Sequence, residues 1–198
     1  KFSAEADVKG VNVVTAQAFT KDSATDFTVQ LQKIKESGAD LVFLPVYYEP
    51  AALILTQAEK AGLNVDFFGC DGLDGVIAQL GGDAELAEGV MLLTPFAADA
   101  EDEKTQTFTA AYKAAYNNEI PTQFAADAYD AIYIIKAAIE KAGATPDMSV
   151  SDLCEALKTA MTEITVDGVT GSMTWSADGE PTKEPKAMII KDGAYSAL

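Results

Sequence analysis

Histidine is absent from the 198 residues of this sequence. Catalytic arrangements that use an imidazole as general base, such as Ser-His-Asp and Cys-His, are therefore excluded, and so are HExxH zinc sites. Paired carboxylates, lysine chemistry and magnesium sites remain chemically possible. Long apolar runs are also missing, and because a membrane-spanning helix needs about 18 consecutive apolar residues, the sequence predicts none.

Cysteine is nearly absent as well, with only Cys70 and Cys154 present. Two cysteines are too few for a disulfide framework, and their wide separation favours two free, mostly buried thiols over a bridge. No base adjoins Cys70 in the sequence to activate its thiol. We therefore predict no thiol chemistry.

Positive charge is scarce: 14 Lys and Arg stand against 31 Asp and Glu, which gives a net charge of −17. Such a surface repels phosphate backbones and anionic lipid headgroups, so we expect neither nucleic acid nor a membrane surface as a partner. The apolar share of 48% and the charged share of 23% are those of an ordinary globular protein.

The first 94 residues alternate between strand and helix patterns. Strands are predicted at 11–14, 41–44, 65–69 and 90–94. One helix is predicted after Thr25 or Asp26, either of which can cap it, and it ends at Gly38. A second is predicted with Pro50 in its first turn, and it runs to Gly62. Strands and helices in this order, with short connections, indicate a parallel sheet wrapped by helices.

After Pro95 the pattern changes to three helices in succession. They are predicted from the acidic run 99–103 to about Tyr116, at 124–141, and from Ser149 or Ser151 to about 162. Strand signals return only at 171–175 and 186–190, with Asp-Gly turns at 178–179 and 192–193. Because an apolar helix face must be buried, these helices either pack on each other or cover a sheet whose strands lie outside this chain. We favour the second alternative.

Several segments, taken in order, resemble the motifs of one family. They are Asp26-Phe27 with 30–35, Asp40–Tyr48, Gln57–Leu63, Gly69–Gly72, Gly89–Leu93, Phe108–Tyr116, Ala125–Ala131 and Gly171–Asp178. Along its whole length the sequence is similar to the carboxy-terminal portion of type I periplasmic solute-binding proteins, in the leucine/isoleucine/valine-binding branch. Proteins of this branch serve ABC importers.

The resemblance implies an α/β fold: a Rossmann-like parallel-sheet lobe plus the helices of a second, incomplete lobe. It assigns residues 1–94 to the second lobe of the family, 95–182 to the first, and 183–198 to a strand that crosses back. The amino-terminal part of the family fold would then precede Lys1, and the sequence start, which shows no initiator Met and no signal peptide, is expected to be a processed or trimmed end.

The same resemblance implies a non-catalytic protein without cofactor or metal. It would work outside the cytoplasm, in the periplasm or as a cell-surface lipoprotein. There it would bind a small amino acid, aliphatic or branched-chain, in a cleft between the lobes and deliver it to the permease of an ABC importer. Its further partner would be the missing amino-terminal part of the same protein.

Two predicted strands end next to candidate ligand-binding residues. Parallel sheets bind ligands at the carboxyl ends of their strands, where Tyr47 and Asp71 are expected. By resemblance, Asp71 would pair with the α-ammonium group of the ligand and Tyr47 would line the pocket, with Tyr48 as its rival and Phe124 near the ligand side chain. The alternatives are a turn-forming role for Asp71 and simple packing roles for the three aromatic residues.

Other functions stay open at this point. One alternative is a ligand-sensing receptor ectodomain of the same fold, another a carboxylate- and magnesium-dependent α/β enzyme, and a third a fragment that binds nothing alone. The glycines at 69, 72 and 75 do not have phosphate-loop spacing, and Asp71 and Asp74 would repel phosphate. The acidic residues 71, 74 and 83 do not follow the order of a calcium-binding EF-hand loop.

Overall fold

Residues 2–198 are described by a computed structural model, in which the chain divides into two compact units. The first unit comprises the chain up to Leu92 together with Ile189–Tyr195. The second comprises Leu93–Met188 together with Ser196–Leu198. The assignment of 1–94, 95–182 and 183–198 to lobes of a longer protein stays a prediction.

Helices and strands alternate as far as Thr94, and helices dominate after it. The described α-helices are α1 (Phe2–Val8), α2 (Thr28–Ser37), α3 (Tyr48–Lys60), α4 (Val76–Leu80), α5 (Glu103–Ala115), α6 (Gln123–Ala142) and α7 (Val150–Met161). Short 3-10 segments lie at Lys21–Ser23, Asp71–Leu73 and Gly81–Ala87. The strands are β1 (Leu41–Leu44), β2 (Asp66–Gly69), β3 (Met91–Thr94), β4 (Val166–Gly168), β5 (Gly171–Met173), β6 (Lys186–Lys191) and β7 (Ala194–Ala197).

The main sheet has the strand order β1-β2-β3-β6-β7. β1 pairs in parallel with β2, from Leu41 opposite Asp66 to Leu44 opposite Gly69, and β2 pairs in parallel with β3. The predicted α/β fold with a parallel sheet is confirmed. Because parallel strands all point the same way, the loops that follow β1 and β2 emerge at the same end of the sheet.

Local chemistry accounts for the helix boundaries near the sheet. One carboxylate oxygen of Asp26 accepts hydrogen bonds from the Thr28 amide at 2.9 Å and the Thr28 hydroxyl at 2.6 Å, at the start of α2. Gly38 ends α2 in the left-handed conformation, with φ of 70°. Pro50 lies in the first turn of α3, where a missing amide hydrogen costs nothing. Gly38 ends α2 as predicted, and Pro50 lies in the first turn of its helix as predicted, although α3 begins two residues earlier, at Tyr48.

The predicted strand at 11–14 does not form. Residues 11–20 have no regular secondary structure, and Val11, Val13 and Val14 are 56%, 41% and 48% exposed. A strand is stabilised only by pairing with a neighbour, because its amide and carbonyl groups have no partners within the strand itself. Among the described strands none pairs with 11–14, and the Val11 amide donates to the Ala6 carbonyl oxygen at 2.8 Å instead.

Both cysteines are free, as predicted, but the expectation that both are mostly buried is wrong for Cys154. Cys70 is half-buried, whereas Cys154 is exposed on α7. Leu153, Leu157 and Ala160 form the covered stripe of this helix. Position 154 follows Leu153 by one residue, which turns its side chain about 100° away from that stripe.

A small aromatic core organises the second unit. Phe96, Phe108, Ala126 and Val169 pack together, with the rings of Phe96 and Phe108 edge to face at a centroid distance of 5.8 Å. The antiparallel pair β4–β5 adds Val166 and Met173 to the buried residues. On α6, however, large apolar side chains remain more than a third exposed, namely Tyr129, Ile132, Tyr133, Ile135 and Ile139.

Asp130 of α6 is a buried carboxylate that holds the β4–β5 turn. It is 1% exposed and accepts hydrogen bonds from the Val169 amide at 2.9 Å, the Thr170 amide at 2.8 Å and the Thr170 hydroxyl at 2.7 Å. A methyl group on Gly168 would overlap this carboxylate. Gly168 is therefore required for the close approach of the turn to α6.

We expect Asp130→Asn to destabilise the protein by about 2–4 kcal/mol, because an amide nitrogen would face backbone donors that now bind a carboxylate oxygen. Urea unfolding of the full-length protein measures this change. The control is Asp127→Asn, one helical turn earlier, which removes only a partly exposed 2.6 Å ion pair with Lys183. That pair is worth about 0–1 kcal/mol. Equal losses for the two variants would contradict the role assigned to Asp130.

Candidate functional site

Tyr47 and Asp71 follow the paired ends of neighbouring parallel strands. β1 ends at Leu44 and β2 at Gly69, and these two residues are register partners. Tyr47 stands immediately before α3 and is 63% exposed. Asp71 opens the 3-10 turn Asp71–Leu73 and is also exposed. Both side chains thus start from the same end of the sheet.

Gly72 shows how closely the two loops approach. A methyl group at this position would lie 2.6 Å from the carbonyl oxygen of Val46 and 3.4 Å from the Cα of Tyr47. The backbone after Asp71 therefore lies directly against the backbone before Tyr47. This close contact brings the two predicted ligand-binding residues together within the first unit.

The turn that carries Asp71 is packed from below by Leu73. Leu73 is 1% exposed, and a methyl group on Gly69 would overlap its Cδ1 atom. Within the turn, the Asp74 amide donates to the carbonyl oxygen of Asp71 at 3.0 Å. The backbone that presents the Asp71 carboxylate is consequently fixed by packing and hydrogen bonding.

Tyr48 and Phe124 differ from Tyr47 in their surroundings. The half-buried ring of Tyr48 lies over Gly75, where an added methyl group would be 3.3 Å from its Cδ1 atom. Tyr48 therefore packs against the segment that carries Asp71. Phe124 belongs to the second unit, is half-buried and is the second residue of α6, next to the fully buried Gln123. A ligand role for either residue stays a prediction.

Tyr195 is a residue near this loop that sequence reasoning missed. Its hydroxyl oxygen accepts a hydrogen bond from the Gly75 amide at 2.8 Å, although the two residues are 120 positions apart. Burial raises the pKa of Tyr195 to about 12, the charge of the Asp74 carboxylate adds to the rise, and the amide groups of residues 75–77 oppose it in part. No local sequence pattern signals this contact.

Comparison with known proteins identifies the family. The profile of a family described as periplasmic binding proteins matches residues 1–194. The chain belongs to this family. The predicted resemblance to type I periplasmic binding proteins of the leucine/isoleucine/valine-binding branch is thereby confirmed, and the curated and solved relatives agree with it.

Two curated relatives are binding proteins by name. The leucine-, isoleucine-, valine-, threonine- and alanine-binding protein of Pseudomonas aeruginosa is 33% identical over 133 residues, which cover 66% of this chain and 34% of that protein. The Leu/Ile/Val-binding protein BraC3 of Rhizobium johnstonii is 29% identical over 186 residues, covering 92% of this chain and 47% of that protein. The chain thus spans half or less of the length of these relatives.

Solved structures agree with the fold. The leucine-binding protein LivK of Thermotoga maritima superimposes with a TM-score of 0.77 at 25% identity, covering 92% of this chain and 50% of that one. The branched-chain amino acid transporter substrate-binding protein LivJ of Streptococcus pneumoniae, in complex with isoleucine, gives a TM-score of 0.74 at 29% identity and covers 90% and 49%.

Cys70 adjoins the candidate site of this periplasmic binding protein. Burial raises the pKa of the Cys70 thiol, and the Asp71 carboxylate adds to the rise, so the thiol is protonated and a poor nucleophile at neutral pH. Within residues 2–198, no group of three or more Cys, Asp or Glu side chains is arranged to hold a metal ion. No described helix has the length and apolar character to cross a membrane.

A concavity of about 400 Å³ lies elsewhere, in the second unit between α6 and residues 165–169. Its lining contains none of the predicted ligand-binding residues. Its lysines are already paired: Lys104 with Asp167 at 2.7 Å and Lys136 with Glu140 at 2.7 Å. Because those charges are balanced and partly exposed, we do not assign the ligand to this concavity.

Gly72→Ala is expected to destabilise the full-length protein by about 1–3 kcal/mol, because the new methyl group would collide with the carbonyl oxygen of Val46. The matched control is Gly82→Ala. An added methyl group meets nothing within 4 Å there, and the backbone is not left-handed. We expect the control to be neutral or slightly stabilising in urea unfolding. Similar losses for both variants would show that the loops do not touch at Gly72.

We expect stability to depend on Tyr195 at high pH. The folded protein holds the phenolic proton more tightly, with a pKa of about 12, than the unfolded chain does at about 10. The resulting stabilisation is complete below pH 10 and is lost as the pH rises towards 12, by about 2–3 kcal/mol. Urea unfolding at about pH 9 and about pH 11.5 should show a smaller loss in Tyr195→Phe than in wild type. Parallel losses would contradict the raised pKa.

Proposed function

We propose that this chain is part of an extracytoplasmic solute-binding protein that binds a small aliphatic amino acid for an ABC importer. The observation that carries the proposal is that an exposed carboxylate, Asp71, and an exposed aromatic ring, Tyr47, both follow the ends of adjacent parallel strands. The names of the relatives support it, since they bind leucine, isoleucine and valine. No catalysis is proposed, because those relatives are binding proteins.

Asp71 is suited to bind the α-ammonium group of an amino acid. A short carboxylate on a fixed turn accepts charge-assisted hydrogen bonds, which are roughly twice as strong as neutral ones. The turn is held at Gly72 against Val46 and at Leu73 against Gly69, so little conformational freedom is lost when the ligand binds. In this proposal Asp71 distinguishes an amino acid from an acid of the same shape without an amino group.

Tyr47 is suited to cover the aliphatic part of the ligand. With 63% of its surface exposed, its ring has apolar area that a ligand can bury. Tyr48 is a weaker candidate for direct contact, because its ring is engaged by packing on Gly75. Phe124 enters the proposal through the family resemblance alone.

The proposed mechanism is closure of a cleft between two lobes of the full-length protein. A ligand that contacts both sides binds the closed state better and shifts the population towards it. A shift from mostly open to mostly closed takes about 5 kcal/mol of differential affinity. Asp71 and Tyr47 would supply one side, and the groups that bind the ligand carboxylate would come from parts of the full-length protein outside this chain.

The exposed apolar face of α6 fits a partner within the same full-length protein. Tyr129, Ile132 and Tyr133 are 42%, 66% and 48% exposed, although each has the apolar area of a core residue. In each of these two relatives, the residues outside the matched region are at least as numerous as the residues within it. We propose that the corresponding half of the full-length protein supplies the sheet that covers this face.

Asp71→Asn in the full-length protein is expected to weaken leucine binding by about 10- to 100-fold, the loss of one charge-assisted hydrogen bond. Isothermal titration calorimetry with leucine and isoleucine measures the affinity. 4-Methylpentanoate, which is leucine without the amino group, should bind weakly to wild type and lose little further affinity in the variant.

The matched control is Asp66→Asn. Asp66 is an exposed aspartate at the opposite end of β2, so the change in net charge is the same. We expect the control to bind leucine with wild-type affinity. An Asp71→Asn variant with wild-type affinity for leucine would refute the role of Asp71, and equal weakening in both variants would indicate a general charge effect.

A further inference from the structure

Tyr195 holds the start of α4 from a distant part of the chain. α4 begins at Val76, and the residue before it, Gly75, has no side chain that could accept a hydrogen bond from a free amide. The Tyr195 hydroxyl accepts a hydrogen bond from the Gly75 amide at 2.8 Å. It therefore fixes the backbone at the residue that precedes α4.

The capped segment leads directly back to Asp71. The Asp74 amide donates to the Asp71 carbonyl oxygen at 3.0 Å, and the next amide, that of Gly75, donates to Tyr195. Successive amides thus tie the Asp71 backbone and the start of α4 to fixed acceptors. Gly69, before Asp71, packs against Leu73, and Gly72, directly after it, packs against Val46. Tyr195 fixes the end of the same segment at Gly75.

The position of Tyr195 is itself fixed by the main sheet. Tyr195 lies in β7, which is joined to β6 by the tight turn Asp192-Gly193, where both residues have positive φ, 52° and 73°. β6 is joined to the chain before β3, because the Ile190 amide donates to the Val90 carbonyl oxygen at 2.9 Å. Because Tyr195 belongs to a paired strand, a shift of its backbone, and of the hydroxyl with it, would require movement of that strand.

We propose that Tyr195 is a positioning residue for ligand binding, which acts by holding the 71–75 segment so that the Asp71 carboxylate is aimed at the ligand. The proposal rests on the proposed function of Asp71 and adds to it a dependence of affinity on the carboxy-terminal strand. Tyr195 does not contact the ligand in this arrangement. Its hydroxyl acts through the backbone of Gly75 and Asp74.

The test is a double-mutant cycle in the full-length protein, with leucine as the probe. Tyr195→Phe removes one oxygen atom and keeps the ring. We expect it to weaken leucine binding about fivefold when Asp71 is present, and by less than about twofold in the Asp71→Asn background, because its effect passes through Asp71. Native-state hydrogen exchange of the Gly75 amide should become faster in Tyr195→Phe. The control Tyr116→Phe, which alters an exposed tyrosine, should change neither quantity.

The outcomes separate the two proposals. Wild-type leucine affinity in Tyr195→Phe, with weakened binding in Asp71→Asn, would overturn the positioning role and leave the function of Asp71 standing. Equal weakening by Tyr195→Phe in both backgrounds would also overturn it, because a merely structural role predicts an additive effect. Wild-type affinity in Asp71→Asn would refute the function of Asp71 and, with it, the positioning role.

Discussion

The parallel pairing of β1 with β2 is the interaction on which the candidate site depends. It places Leu44 opposite Gly69, so the loops that begin there carry Tyr47 and Asp71 to the same end of the sheet. A slip of one residue would shift one loop by about 3.3 Å along the strand and turn its side chains to the other face. The close contact of Gly72 with Val46 would be lost in such a register. The register of β1 against β2 therefore also determines the geometry of the candidate site.

The glycines of the Asp71 loop have a packing role that explains their spacing. At Gly69 the space of a side chain is occupied by Leu73, at Gly72 by the Val46 carbonyl oxygen, and at Gly75 by the ring of Tyr48. These close approaches explain the spacing of the three glycines. Phosphate binding does not explain it, because the acidic residues beside the glycines would repel phosphate. A loop packed this closely presents its one exposed carboxylate with little freedom, which is what selective binding of a small ligand requires.

The two aspartates Asp71 and Asp130 have different surroundings, and the proposal therefore gives them different roles. Asp130 is 1% exposed and its carboxylate is occupied by the amides of Val169 and Thr170, so it stabilises a turn. Asp71 is exposed at the end of a strand, so a ligand can reach it. The sequence places Asp71 after a strand and Asp130 within a helix, but it does not show that the Asp130 carboxylate is buried. Burial and the direction of neighbouring amide groups decide the difference.

By itself, the sequence determined the features that depend on neighbouring residues: the end of α2 at Gly38, the first turn of α3 at Pro50, and strands that place Asp71 at a strand end. These follow from backbone geometry and apolar spacing, which are local. Tertiary structure decided that 11–14 pairs with no strand and that the Tyr195 hydroxyl binds the Gly75 amide, 120 residues away. Strand pairing and long-range hydrogen bonds depend on which segments the folded chain brings together, and no local pattern of residues contains that information.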